Sequence, residues 1–140
     1  MNSFRKFSKF LFSGLFLLGI LLPLNAMSAD SYIRKYQGSR LYSWDGTHLS
    51  IYQGSRRYTW DGQYLSMYQG QRLFEWDGKY ISRYQGSRIL EVDGEKIRKY
   101  QGSILFEWDG QYLRQYQGSR MFEVEGAVPV AILALLPGYL

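Results

Sequence analysis

The chain repeats itself with a period of 16 residues, and no other property limits its fold as sharply. Tyr36, Tyr52, Tyr68, Tyr84, Tyr100 and Tyr116 stand 16 apart without a slip. The stretch YQGSRLYSWDGTHLSI, from Tyr36 to Ile51, is followed at once by YQGSRRYTWDGQYLSM and YQGQRLFEWDGKYISR. A fixed period of this length marks a repeat architecture. Inside it glycine recurs at every eighth position from Gly38 to Gly126, preceded alternately by Gln37, Gln53, Gln69, Gln85, Gln101 or Gln117 and by Asp45, Asp61, Asp77, Asp93, Asp109 or Glu125. Glycine reaches positive φ without a Cβ clash, so these positions read as turns.

The segments between turns are six residues long and rich in aromatic and branched side chains, which suits strands. Asp-Gly between such segments is a hairpin signal. With two-residue turns placed over Asp77-Gly78, Phe74 should face Ile81, Trp76 should face Lys79 and Glu75 should face Tyr80. Alternation then gathers the expected core on one face. That face holds an aromatic slot (Tyr42, Tyr58, Phe74, Leu90, Phe106, Phe122), a Trp/Val slot (Trp44, Trp60, Trp76, Val92, Trp108, Val124) and a Leu/Ile slot (Leu49, Leu65, Ile81, Ile97, Leu113). The opposite face mixes Tyr, Ser, Glu and Leu41, Leu73, Ile89, Leu105 and Met121, with Arg57 breaking the series, and reads as half wet.

A parallel solenoid would stack Arg40, Arg56, Arg72 and Arg88 about 4.8 Å apart, where like charges repel. An antiparallel meander avoids this. Its two open edges invite aggregation unless the sheet closes into a ring of equivalent hairpins, which also accounts for the matching units. Six-residue strands fall short of the roughly 9 to 11 that cross a membrane as a barrel. The fold expected is therefore all-β: a closed, pseudo-symmetric array of β-hairpins.

Units such as LFEWDGKYISRYQG, with an aromatic pair before an Asp-Gly turn, then Leu or Ile, an aromatic and a second glycine, resemble the beta-flower proteins. These are small bacterial proteins known in four-fold and five-fold forms. The resemblance covers residues 31–126 and implies hairpin petals around a pseudo-rotational axis, often in exported proteins with a distinct C-terminal tail. It carries over no catalytic residue. The unbroken 16-residue spacing and about six hairpin units, counting SYIRKY, depart from the family's pattern.

Residues 1–29 have the parts of an export signal: basic Arg5, Lys6 and Lys9, an apolar run from Phe10 to Leu24, then small residues around Ala26, Ser28 and Ala29. Cleavage after Ser28 or Ala29 would leave about 111 residues and a periplasmic or secreted product. The alternative is a retained anchor, although a run of about 15 residues is short of the roughly 20 that span a bilayer. Removing those three cations leaves 14 Lys/Arg against 12 Asp/Glu, so the full chain's +5 falls to +2 and a nucleic-acid partner loses its electrostatic support. The chain has no cysteine, so no disulfide framework stabilises it.

After the repeat domain, residues 30–126, comes an apolar tail, AVPVAILALLPGYL, residues 127–140. Pro129 and Pro137 discourage one continuous helix or central strand. The tail is expected to plug the axis of the ring, to cover a sheet edge as a final strand, or to contact a partner or membrane surface.

Catalytic chemistry finds little to use. His48 is the single histidine and takes a slot filled elsewhere by Tyr64, Tyr80 and Tyr112; the acids before glycine are turn formers spread around a ring, not a close pair. No phosphate loop or metal-ligand spacing is present. The expectation is a protein that is not an enzyme and takes no metal or cofactor. Two classes of function remain: a structural or protein-interaction module of the cell envelope, or a glycan or cell-wall binder. In the second, the repeated tryptophans, or Tyr36, Tyr52, Tyr68, Tyr84, Tyr100 and Tyr116, would stack on sugars beside Arg40, Arg56, Arg72, Arg88 and Arg120, and repetition would add avidity. A binder should open several rings on one concave surface, whereas a scaffold should bury its Trp slot.

Overall fold

The structure, a computed structural model, describes residues 29–140; the export-signal reading of residues 1–29 lies outside the described residues except for Ala29. Strands run β1 (Ser31–Lys35), β2 (Arg40–Trp44), β3 (His48–Ile51), β4 (Arg56–Trp60), β5 (Tyr64–Met67), β6 (Arg72–Trp76), β7 (Tyr80–Arg83), β8 (Arg88–Asp93), β9 (Lys96–Lys99), β10 (Ile104–Trp108), β11 (Tyr112–Gln115) and β12 (Arg120–Glu125). A helix, α1 (Val130–Tyr139), follows. Each strand pairs antiparallel with its sequence neighbours, and β1 also pairs with β12, so the sheet closes into a barrel. Closure leaves no unpaired edge. Six hairpins therefore make one ring.

The two kinds of turn sit at opposite ends of the barrel. At the Asp-Gly end, Trp76 pairs with Ile81, Glu75 with Ser82 and Phe74 with Arg83, not with the partners expected from a turn centred on Asp77-Gly78. The two-residue loop is instead Gly78-Lys79. Gly78 takes φ +99°, the Asp77 N–H donates to the Tyr80 carbonyl at 3.2 Å, and Asp77 Oδ1 accepts the N–H groups of Lys79 and Tyr80 at 2.9 and 2.7 Å. Holding those two amides requires the aspartate to stand before the loop rather than within it.

At the other end the turn spans Lys35 to Gly38, whose N–H donates to the Lys35 carbonyl at 2.9 Å. Here the left-handed residue is Gln37, at φ +57°, and its five counterparts repeat this. Gly38 is needed for a different reason: a Cβ on it would lie 2.9 Å from Lys35 Cβ. Beyond each of these turns the register shifts, as between Ile33↔Tyr42 and Arg34↔Arg40, which inserts an extra residue at Leu41. The bulge turns that slot partly inward, and Leu73, Ile89, Leu105 and Met121 pack half-buried against the core.

The expected inward face is the core. Ile33, Leu49, Leu65, Ile81, Ile97 and Leu113 are almost wholly excluded from water, and Trp44, Trp60, Phe74, Leu90 and Val124 join them. Inside the ring lies α1, buried from Ala131 to Leu136. A helix apolar on every side belongs in such a setting. It enters beside the Asp-Gly end, where the Ala127 N–H donates to Ser31 Oγ at 3.0 Å, and leaves at the Gln-Gly end, where the Tyr139 ring meets Phe74 edge-on at 5.8 Å. Its ten residues span about 15 Å, close to the roughly 17 Å of a five-residue strand.

The tail is thus an axial plug and not an edge strand, and the prolines do not prevent a continuous helix. Pro129 precedes the first helical residue, where its carbonyl accepts the N–H groups of Ile132 and Leu133, and Pro137 falls in the last turn. Between them nothing interrupts the i to i+4 ladder. Within a closed barrel no strand edge is free to pair with the tail, so its backbone groups satisfy one another, which only a helix does.

Candidate functional site

The outer wall carries the chain's most regular polar feature. In four of the six units the arginine at the start of an even-numbered strand lies along the wall over a tyrosine from the neighbouring hairpin. Arg40 stands 3.7 Å from the centroid of Tyr32, Arg72 3.9 Å from Tyr64, Arg88 3.9 Å from Tyr80 and Arg120 3.8 Å from Tyr112. A second tyrosine, from the Gln-Gly turn, approaches at 5.5 to 5.7 Å: Tyr52, Tyr84, Tyr100 and Tyr36 in turn. The two rings of each pair meet edge-to-face, as Tyr64 and Tyr84 do at 5.8 Å. Such geometry is attractive for both the cation and the ring pair.

Two units differ. In one, His48 replaces the first tyrosine; it meets Tyr68 edge-to-face at 5.6 Å, and Arg56 is 5.6 Å from Tyr68 and 3.9 Å from an Asp45 oxygen. In the other, Ile104 stands where the arginine would be, and Tyr116 is left 37% exposed. The sequence-derived set is therefore drawn together in part. Arg56, Arg72 and Arg88 each lie beside one of the expected tyrosines, Tyr68, Tyr84 and Tyr100, while Tyr116 stands apart. Missed were Tyr32, Tyr64, Tyr80 and Tyr112, the rings closest to the cations. The signal was a tyrosine eight residues before Arg40, Arg72, Arg88 and Arg120, on the face that the strand register selects.

The belt is electrostatically closed on itself. Backbone N–H donors, led by those of Tyr64, Tyr80 and Tyr112, hold the carboxyls of Asp61, Asp77 and Asp109 below the usual aspartate range, and Arg72, Arg88 and Arg120 add to the effect. Burial alone would raise Asp45, but hydrogen bonds from His48 and Thr47 outweigh it and lower it. At the seam, where β12 meets β1 and no turn exists, the aspartate position is taken by Glu125. Its longer side chain receives Arg40 Nε and an Arg40 terminal nitrogen, both at 3.0 Å. That paired hydrogen bond lowers the Glu125 carboxyl and raises the Arg40 guanidinium.

Trp44 and Trp60 are turned inward, 6% and 9% exposed, beneath a hollow of about 780 Å³ at the Asp-Gly end that Val128 and Pro129 also line. Among the described residues no three His, Cys, Asp or Glu side chains form a group able to hold a metal ion. Those residues also contain no helix long and apolar enough to cross a membrane. No family model, curated protein or solved structure matches the chain.

Proposed function

We propose that the chain is an exported, non-enzymatic scaffold or protein-interaction module of the cell envelope, a six-hairpin relative in form of the beta-flower proteins. The observation that carries this reading is where the aromatics go. Trp44 and Trp60 are committed to the core, Trp76 and Trp108 pack half-buried against it, and on the convex outer wall the ring faces of Tyr32, Tyr64, Tyr80 and Tyr112 are covered by the chain's own guanidinium groups. A sugar binder keeps ring faces free in a concave surface. Here Arg72 already occupies the face of Tyr64 that a pyranose would need. Placement in the envelope rests on the export-like pattern of residues 1–29.

Retention of the protein on peptidoglycan and on a glycan panel tests the reading, run alongside Tyr68→Ala and Tyr84→Ala. A scaffold gives no saturable binding in any of the three proteins. Saturable retention of the parent that both substitutions abolish would establish the glycan-binding alternative.

A further inference from the structure

The Gln-Gly end of the barrel has a surface chemistry unlike the rest of the molecule. Six equivalent positions form the inner rim there, each paired with the inward aromatic slot: Lys35 with Phe122, Ile51 with Tyr42, Met67 with Tyr58, Arg83 with Phe74, Lys99 with Leu90 and Gln115 with Phe106. All six are exposed. They encircle the end of α1, since the Arg83 guanidinium lies 5.7 Å from the Tyr139 ring. Around the ring, Ile51 and Met67 make an apolar arc, and Arg83 and Lys99 a basic one. Ile51, Met67, Tyr116 and Tyr139 are the exposed large hydrophobic side chains of the described residues, and all four stand at this end.

Charge is sorted along the barrel axis in the same sense. No Asp or Glu occurs in any Gln-Gly turn, from RKYQGSR (34–40) to RQYQGSR (114–120), whereas an acid precedes glycine at every position of the opposite end. Glu75 and Glu107 reach two of these turns from the outer wall to accept the N–H groups of Gln85 and Gln117. Every charged side chain of the inner rim is a cation: Lys35, Arg83 and Lys99. Beside Lys35 a hollow of about 650 Å³, also lined by Arg120 and Pro137, opens between the two cations.

We infer that this end docks on an anionic phospholipid surface. Aliphatic and aromatic side chains ringed by Lys and Arg suit the interface between headgroups and acyl chains, and each cation near such a surface strengthens association about fivefold. The side-chain stems of Lys35 and Arg83, the rim cations that flank the apolar arc, can lie along it while their charged ends reach phosphates. A second copy meeting this end face to face would set cations against cations. The inference goes beyond the scaffold reading and stands without it, because it uses none of the Tyr–Arg belt.

The apolar run from Phe10 to Leu24 can bring the full chain to any bilayer, so the informative readout is which end of the barrel meets lipid. The chain has no cysteine, so Met67→Cys and Glu95→Cys each place one environment-sensitive fluorophore, at the Gln-Gly and Asp-Gly ends. Both are exposed positions. With vesicles containing roughly one-third phosphatidylglycerol in phosphatidylcholine, the label at position 67 should shift to the blue and be quenched from the lipid phase, and that at 95 should not. Adding Lys35→Gln, Arg83→Gln and Lys99→Gln should weaken the response at position 67 on the order of 100-fold. Raising salt should weaken it in the unaltered rim. A label at 67 that stays in water, or one at 95 that responds equally, would overturn the inference. So would a concentration-dependent blue shift without vesicles, which would assign the face to a second copy of the chain.

Discussion

The guanidinium of Arg72 lies 3.9 Å over the ring of Tyr64, a residue eight positions earlier in sequence and in the strand alongside. This contact fastens the start of β6 to β5 on the outside of the barrel, and four of the six units make it. Arg72→Ala should lower the unfolding free energy by about 0.5–1 kcal/mol, the range for a solvent-accessible cation–π contact. Arg72→Lys should recover less than half of the loss, because an ammonium cannot lie flat on the ring. Urea denaturation midpoints at constant slope report both.

The unit with Ile104 offers the converse. Ile104→Arg would place a guanidinium between Lys96 and the exposed Tyr116, where every other unit has an arginine. Proximity to Lys96 reduces the benefit relative to a unit with tyrosine at that position. A gain of at most about 0.5 kcal/mol is expected, read from the same midpoints.

Stability should fall in acid. Asp45, Asp61, Asp77, Asp109 and Glu125 are all held below their ordinary values of 3.8 and 4.5, so each contributes stability that is complete above the unfolded value and is lost as pH falls through the lower folded one. Thermal midpoints should be flat from neutrality to about pH 5 and drop progressively below about pH 4.5. Asp77→Asn should flatten part of that drop, since the amide oxygen still accepts from Lys79 and Tyr80 but no longer titrates.

The sorting of side chains onto two faces was legible in the sequence, although the register was not. Placing the turn over Asp77-Gly78 instead of Gly78-Lys79 moves every cross-strand partner by two residues, from Phe74–Ile81 to Phe74–Arg83. A shift of two leaves each side chain on its original face, so the core slots survived. The Tyr–Arg belt did not survive it. Its pairs depend on the true register and on the bulge at the Leu41 position, which no local pattern in the six-residue segments announces. The helix was hidden for another reason: whether an apolar tail with two prolines becomes strand or helix depends on whether a sheet edge is open to it, a property of the closed ring.

Backbone strain separates the two residues of the Gln-Gly turn. Gln101 holds φ +55°, a conformation costly for a residue with a Cβ, so Gln101→Gly should stabilise the barrel by about 0.5–1 kcal/mol. Gly102→Ala should destabilise it by about 1–3 kcal/mol, because the new methyl would lie 2.9 Å from Lys99 Cβ. Calorimetric unfolding of the two variants should move in opposite directions.

Closure of the barrel around its own C-terminal helix underlies every assignment made for this chain. Proton–proton NOEs in solution test it most directly, in two places: between β1 and β12 at Ile33 and Val124, and between the side chains of Ile132 to Leu136 and the inward residues of the strands. Cross-peaks in both places, with helix amides protected from exchange as strongly as the strands, are the predicted result. A β1 that shows no contact with β12, or a tail whose amides exchange freely, would contradict the account.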